Sequence, residues 1–277
     1  MTAGATTTRP VRPAVGGRRR RPVPRWLLGL AGVLTFLLVW ELVPRVGIVN
    51  PRFLPPFSEI GRALAVRVQT DTFWTALVDT LITWATGLSI AVVAGIGLGM
   101  LIGSIAVLRD ATASTIEFLR PIPSVALIPL AVLMFGNGRP STLLLVIYAT
   151  FWQVLVQVLY GVQDVDPVAR DTARTYRFRF LTEGLRLVWP TTLPYAMTGF
   201  RLGATVALIL TITGELIIGT PGLGKLLALT QQSAQVAAMY AIVVVTGLLG
   251  VLVNVGARMV ERRVLHWHPS VRRERAS

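Results

Sequence analysis

The chain has 277 residues, of which 53% are apolar and only 14% charged, with a mean hydropathy of +0.64. A water-soluble domain carries about 25% charged residues, so an ordinary soluble globule is excluded, as are a disordered chain and a collagen-like one. The net charge of +14 could point to nucleic acid, but the basic residues cluster beside apolar runs. That is the pattern of a polytopic protein of the lipid bilayer with positive cytoplasmic ends and no nucleic-acid partner. There is no Cys, so disulfides, thiolate metal sites and Cys nucleophiles are excluded.

Residues 1–25 are rich in Pro, Arg and Gly and include Arg18, Arg19, Arg20, Arg21 and Arg25. Lacking apolar periodicity, they are expected to form a disordered basic cytoplasmic arm. A spanning helix needs about 20 mainly apolar residues, and the first is expected over 26–43, closed by Pro44. The run is long for a signal peptide, and no small-x-small cleavage site closes it. Pro22 and Pro24 after Arg21 also fit a twin-arginine address poorly, so 26–43 reads as a retained anchor.

Residues 44–72 read as an external segment, with Pro51, Pro55 and Pro56 breaking any helix. Within it, 58–68 is expected to be a short amphipathic helix, capped by Ser58 and with Ile60, Leu64 and Val68 at helical spacing. A core of several spans over 73–260 follows. Its first span is expected at 81–107 and carries Gly95, Gly99 and Gly103 four apart on one face, a close-packing pattern in lipid. A dinucleotide loop would instead need G-x-G-x-x-G between a strand and a helix. Residues 109–120 read as a polar helix. Pro121, Pro123 and Pro129 then punctuate a short, kinked third span ending at Phe135, and 136–140 reads as a turn. Further spans are expected at 141–162, 193–218 and 236–260, with a basic cytoplasmic tail over 261–277.

Six spans place both termini on one side. Counting Lys and Arg by segment, 20 fall on the side of the termini and six on the other, with Arg201 inside the fifth span. The bias puts both ends in the cytoplasm.

Residues 164–186 are long for a connection between spans, a sign of function or independent structure. Asp166-Pro167 is a good helix start, and Arg170, Arg174 and Arg177 recur at helical spacing beside Tyr176, Phe178 and Phe180. One reading is a solvated basic loop. The other is a cytoplasmic helix docking a partner, since Arg and aromatic residues are favoured anchors.

The segment Asp171-Thr172-Ala173, Arg177, then Leu187-Val188-Trp189-Pro190 resembles the cytoplasmic motif of the permease subunits of bacterial binding-protein-dependent ABC importers. That motif is E-A-A, three residues, Gly, nine residues, then I-x-L-P, and the spacing is kept in full. The nitrate/sulfonate/taurine branch is the most similar. Supporting matches are Phe53-Leu54-Pro55-Pro56, Leu119-Arg120-Pro121-Ile122-Pro123, Gly199-Phe200-Arg201, Gly214-Glu215-Leu216 and Gly222-Leu223-Gly224. Arg177 stands where the motif has the Gly that turns the chain between two helices. Either the turn is reshaped here or the helix continues.

The resemblance implies an all-α integral membrane protein with six transmembrane helices: a five-helix type I ABC importer (MetI-like) core plus one N-terminal helix. It implies a multi-pass subunit of the bacterial cytoplasmic membrane that imports a sulfonate, taurine, nitrate or similar small anion by alternating access. The implied partners are a second permease subunit in a homodimer, two cytoplasmic ATPase subunits and an external solute-binding protein. The chain itself would hold no cofactor, because ATP and Mg would bind the ATPase, and it would not be an enzyme. The implied ATPase-coupling residues are Asp166, Arg170, Asp171, Thr172, Ala173, Arg174, Tyr176, Arg177 and Pro190. A thiamine-precursor permease, an ion-driven secondary transporter or channel, and a membrane scaffold remain alternatives.

Arg201 and Glu215 are ionisable groups inside a span, and so functional candidates by default. Fourteen residues apart, they lie about 21 Å apart along a helix and within about 40° of one face. They line a pathway, or each has a structural partner on another span. Trp152, Gln153 and Gln157 form a weaker polar stripe on the fourth span. No catalytic residue is expected. Gly219 to Lys225 fits the G-x-x-x-x-G-K phosphate loop, but Leu226 stands where Ser or Thr should hold Mg²⁺, and no strand precedes it. His266 and His268 are too few for a closed metal site and read as an interfacial anchor with Trp267.

Overall fold

A computed structural model describes residues 25–267, and every regular element among them is helical. In chain order these are α1 (Arg25–Arg45), α2 (Phe57–Arg67), α3 (Asp71–Ser104), α4 (Ala106–Leu119), α5 (Ile128–Phe135) and α6 (Arg139–Gln163). There follow α7 (Pro167–Thr175), α8 (Phe180–Glu183), α9 (Trp189–Ile218), α10 (Leu223–Gln232) and α11 (Val236–Val264). The arm expected over 1–25 lies outside the described residues except for Arg25, as does the tail beyond Trp267 with His268.

Five of these stretches are long and apolar enough to cross a membrane. The six-span expectation requires α4 and the 124–135 helices to count as one broken span, since the two halves meet at 83°. The break falls at Pro121-Ile122-Pro123, because proline lacks the N–H that a continuing helix needs.

The centre of the fold is α6, with α3 on one side and α9 on the other. Apolar side chains gain little from meeting each other in lipid, so such helices associate by close van der Waals fit between small residues. On α3, Gly87, Gly95, Gly99 and Gly103 face Val146, Val154, Val158 and Val162 of α6. A methyl group on any of these glycines would fall within 2.9 Å of its valine. On the other side, Gly203 and Gly214 of α9 receive Thr150 and Thr142, and Gly161 of α6 receives Thr192. Two rows of backbone contact thus fix α6 between its neighbours.

Some boundaries differ from expectation. The helix expected to begin at residue 81 begins at Asp71. Its first turns hold Asp71, Thr72, Thr75, Asp79 and Thr80, which lower the local hydropathy. Asp79 nevertheless pairs with Arg139, and Thr80 is fully buried. In α2, Ser58 does not cap its own helix, which starts one residue earlier after Pro56. Its N–H and hydroxyl instead donate to the Glu41 carboxylate of α1 at 2.9 Å each. That tie, the Trp40 Nε1 bond to the Pro55 carbonyl and the Trp40–Tyr240 ring contact hold α1 to α2 and α11. Finally, α11 runs on to Val264, so the start of the expected tail is helical.

Candidate functional site

The segment after α6 is built as a braced wedge. Asp166 caps α7 by accepting from the Val168 N–H at 2.8 Å, and Pro167 fills the first helical position. Arg170 reaches back to donate to the Val162 carbonyl at 3.0 Å, satisfying a free carbonyl near the end of α6. Its Nε is buried without a partner. Tyr195 of α9 donates to Asp164 at 2.8 Å, tying the foot of α6 to α9.

The turn that closes α7 keeps its left-handed position, with Arg177 at φ +53. The Phe178 N–H bonds the Ala173 carbonyl at 3.0 Å, and the Arg177 N–H bonds the Arg174 carbonyl at 2.9 Å. These two bonds form the double cap that usually ends in Gly. Of the two outcomes open for Arg177, the helix stops and turns. Beyond the turn, α8 passes through one π-helical turn over Gly184–Val188 directly into α9. Phe180 to Ile218 is thus one helical rod with a π-bulge.

Ala173 is buried, while Asp171, Thr172, Arg174, Tyr176 and Arg177 are exposed. The Arg174–Asp171 ion pair at 3.4 Å is exposed on both sides and contributes little stability. Pro190 lies in the first turn of α9, next to Trp189. A largely apolar cavity of about 400 Å³ opens between the end of α3, α7 and α8, lined by Met100, Leu101, Arg170, Arg174, Phe180 and Trp189 among others.

Arg201 and Glu215 are drawn to different partners. Arg201 pairs with Glu261 of α11 at 3.2 Å. Glu215 is fully buried, and its Oε2 accepts from Thr80 Oγ1 and from the Gly224 N–H, each at 2.9 Å. Thr80 Oγ1 in turn accepts from the Leu223 N–H at 2.9 Å. The carboxylate therefore sits at the N-terminus of α10, where free N–H groups favour negative charge. The position a phosphate would take in a nucleotide loop is filled by the chain's own side chain. Gly222, at φ +152, and Gly224 are required there: a Cβ at Gly222 would fall 2.1 Å from the Glu215 carboxyl carbon, and one at Gly224 2.3 Å from the Ile212 carbonyl oxygen.

On α6, Trp152 is buried with its indole N–H unpartnered, and Gln153 is half-buried beside it. Gln157 lies where α6 meets α9, its Cβ 3.2 Å from the position a Cβ on Gly199 would take. No group of three or more His, Cys, Asp or Glu that could hold a metal occurs among the described residues. His266 bonds the Arg263 carbonyl at 3.1 Å.

Sequence reasoning did not single out Thr80, Asp164 or Glu261. A lone Thr inside an apolar helix and a carboxylate at the end of the last span were the available signals.

The family model for binding-protein-dependent transport system inner membrane components matches residues 91–266. The chain is 30% identical over 258 residues to a taurine transport system permease protein of Escherichia coli, covering 91% of this chain and 94% of that one. It is 27% identical over 275 residues to a bicarbonate transport system permease protein of Synechococcus elongatus, covering 96% and 99%. Its fold is shared with a chain from the crystal structure of a bacterial ABC transporter involved in alginate import. There the TM-score is 0.63 at 15% identity, covering 86% of this chain and 96% of that one.

Proposed function

The chain belongs to the family of binding-protein-dependent transport system inner membrane components, and from that premise we propose that it is the permease subunit of an ATP-driven importer of a small organic or inorganic anion such as taurine, another sulfonate or nitrate. ATP and Mg bind, and hydrolysis occurs, in two separate cytoplasmic ATPase subunits. Two permease chains enclose the pathway, an external binding protein delivers the solute, and both termini face the cytoplasm.

The observation that carries this reading is the mechanical construction around α7. The wedge is capped by Asp166 and clasped to α6 by Arg170, and its far end continues as the rod that becomes α9. A partner that displaces α7 and α8 moves two packed spans together. Alternating access follows if the ATPase dimer binds the two permease arrangements with different affinity, because only differential binding shifts a conformational equilibrium. In this scheme Asp171, Thr172, Arg174, Tyr176 and Arg177 are the exposed contact face of the wedge. Glu215 and Arg201 hold the moving spans to their neighbours, while Trp152, Gln153 and Gln157 lie toward the pathway.

The test is uptake in vesicles containing the permease, the cognate ATPases and the binding protein. Uptake that requires both ATP and the binding protein supports the importer. Uptake by the permease alone on an ion gradient overturns it in favour of a secondary transporter. Charge reversal of both Arg170, which clasps the wedge to α6, and Arg174, on its exposed face, should cut ATPase co-purification by about tenfold or more, the scale of losing an interfacial arginine, while membrane insertion is retained. Unchanged co-purification would leave the segment a solvated loop.

A further inference from the structure

Between the break after α4 and the face of α6 lies a cavity of about 580 Å³ whose walls carry both signs of charge. Its rim is the last turn of α4 with Glu117 and Arg120, and the proline turn leading to Ser124. Its floor is Tyr148, Trp152 and Gln153 of α6. The cavity is a product of the fold. The 83° bend leaves a volume that no side chain fills, and Tyr148 donates to the Leu119 carbonyl at 2.6 Å, holding the rim in place.

Glu117 and Arg120 are three residues apart, a spacing at which opposite charges on a helix commonly pair. Here they make no ion pair with each other, and among the described residues neither side chain has another ionic or hydrogen-bond partner. The Trp152 indole N–H is buried and unpartnered in the same walls. A cation, an anion and spare donors thus line one cavity without satisfying one another.

We propose that this cavity is a resting site on the transport path for a small zwitterion, with Arg120 taking its oxyanion and Glu117 its ammonium. The proposal rests on the importer reading and narrows its solute class. A guanidinium is well shaped for a carboxylate or sulfonate. A simple anion at Arg120 would sit against the Glu117 carboxylate with nothing to offset it, which is discrimination by repulsion. A ligand that brings its own cation turns that repulsion into a second contact. The two side chains spring from Cβ atoms about 5–6 Å apart, a span that a short amino acid or amino sulfonate bridges.

The test uses the detergent-solubilised permease–ATPase complex without the binding protein, which would otherwise impose its own selection. Tryptophan fluorescence is followed during titration with taurine, β-alanine, isethionate and nitrate, and Trp152→Phe assigns the signal to the cavity. Taurine, β-alanine or both should bind. Isethionate, in which a hydroxyl replaces the ammonium, should bind about tenfold more weakly, and nitrate more weakly still. The taurine-to-β-alanine ratio tells sulfonate from carboxylate. Glu117→Gln should bring taurine and isethionate within about twofold of each other, and Arg120→Gln should abolish both while Arg120→Lys retains weak binding. Both positions are exposed at a helix end, so size-exclusion profiles should match the wild type. Equal binding of taurine and isethionate by the wild type, an unchanged ratio in Glu117→Gln, or no binding of any probe overturns the proposal. Uptake assayed in parallel separates the two claims: ATP-driven uptake without zwitterion preference sinks only the cavity, whereas loss of ATP-dependent uptake sinks the importer.

Discussion

Arg177 closes α7 in a conformation that L-residues with a Cβ resist, at a cost of roughly 1–2 kcal/mol. Ala234, at φ +54, closes α10 in the same way, with the Gln235 N–H on the Thr230 carbonyl and the Ala234 N–H on the Gln231 carbonyl. Both turns hold because two backbone bonds and the following helix over-determine them. Arg177→Gly should remove the strain, and amide exchange at Phe178 should slow by about fivefold for each ~1 kcal/mol recovered. Exchange that stays the same or quickens would mean the arginine side chain contributes contacts worth more than the strain. At Glu215 the sign reverses. Glu215→Ala leaves the Thr80 hydroxyl and the Gly224 N–H without their acceptor, at about 1–3 kcal/mol for each buried group left unsatisfied. Glu215→Gln keeps one acceptor oxygen and should fall between. Thermal unfolding of the purified protein should therefore rank wild type above Gln above Ala; an Ala variant as stable as wild type would show that the latch adds nothing.

The contact between α3 and α6 depends on which side of α3 a glycine occupies. Gly99 meets Val158, and a Cβ there would fall within 2.7 Å of its side chain, whereas Gly97 faces open space. Gly99→Val should therefore force the helices apart at about 1–3 kcal/mol, seen as loss of the monodisperse peak after mild heating. Gly97→Val should be tolerated. Equal behaviour of the two variants would contradict the packing. The fourfold spacing of Gly95, Gly99 and Gly103 is legible in the sequence, but its partner is not, because a stripe on one helix does not say which helix faces it. The valines that fill it read as ordinary lipid-facing residues. The same blindness set the start of α3 ten residues too late, since Thr80 and Asp79 look like the end of an apolar run until their partners on α9, α10 and α6 are known. The wedge after α6 was more legible. The cap and the helix start are local signals, and they fall where Asp166 and Pro167 place them; the left-handed turn at Arg177 was not legible, because an arginine gives no local sign of it. Arg201 and Glu215 share one face of a helix, as their spacing requires. A helix face meets different neighbours along its length, however, so one pairs with α11 and the other with α3 and α10.

Across the whole molecule, the long helices order the connecting segments into two sets. α7 and the ends of α3 and α6 lie together at one end, while α10, the start of α3 and the start of α6 lie together at the other. The basic residues are distributed unequally between these sets, with Arg170, Arg174, Arg177, Arg179 and Arg186 around α7 against Lys225 on α10 and Arg139 at the start of α6. A membrane that retains positive loops on its cytoplasmic side would hold α7 inside. The complete lack of Cys makes this testable without removing any native residue. Tyr176, 75% exposed in the turn after α7, and Ser233, exposed at the end of α10, offer single positions for Tyr176→Cys and Ser233→Cys. In intact cells an impermeant maleimide should label the cysteine at 233 and leave the one at 176 untouched until the membrane is opened. Both sites are water-exposed turns, so a difference between them reports sidedness rather than burial. The reverse pattern would place α7 outside, beyond the reach of a cytoplasmic ATPase. Labelling of both in intact cells would require the chain between them to cross an even number of times, which the single rod from Phe180 to Ile218 does not allow.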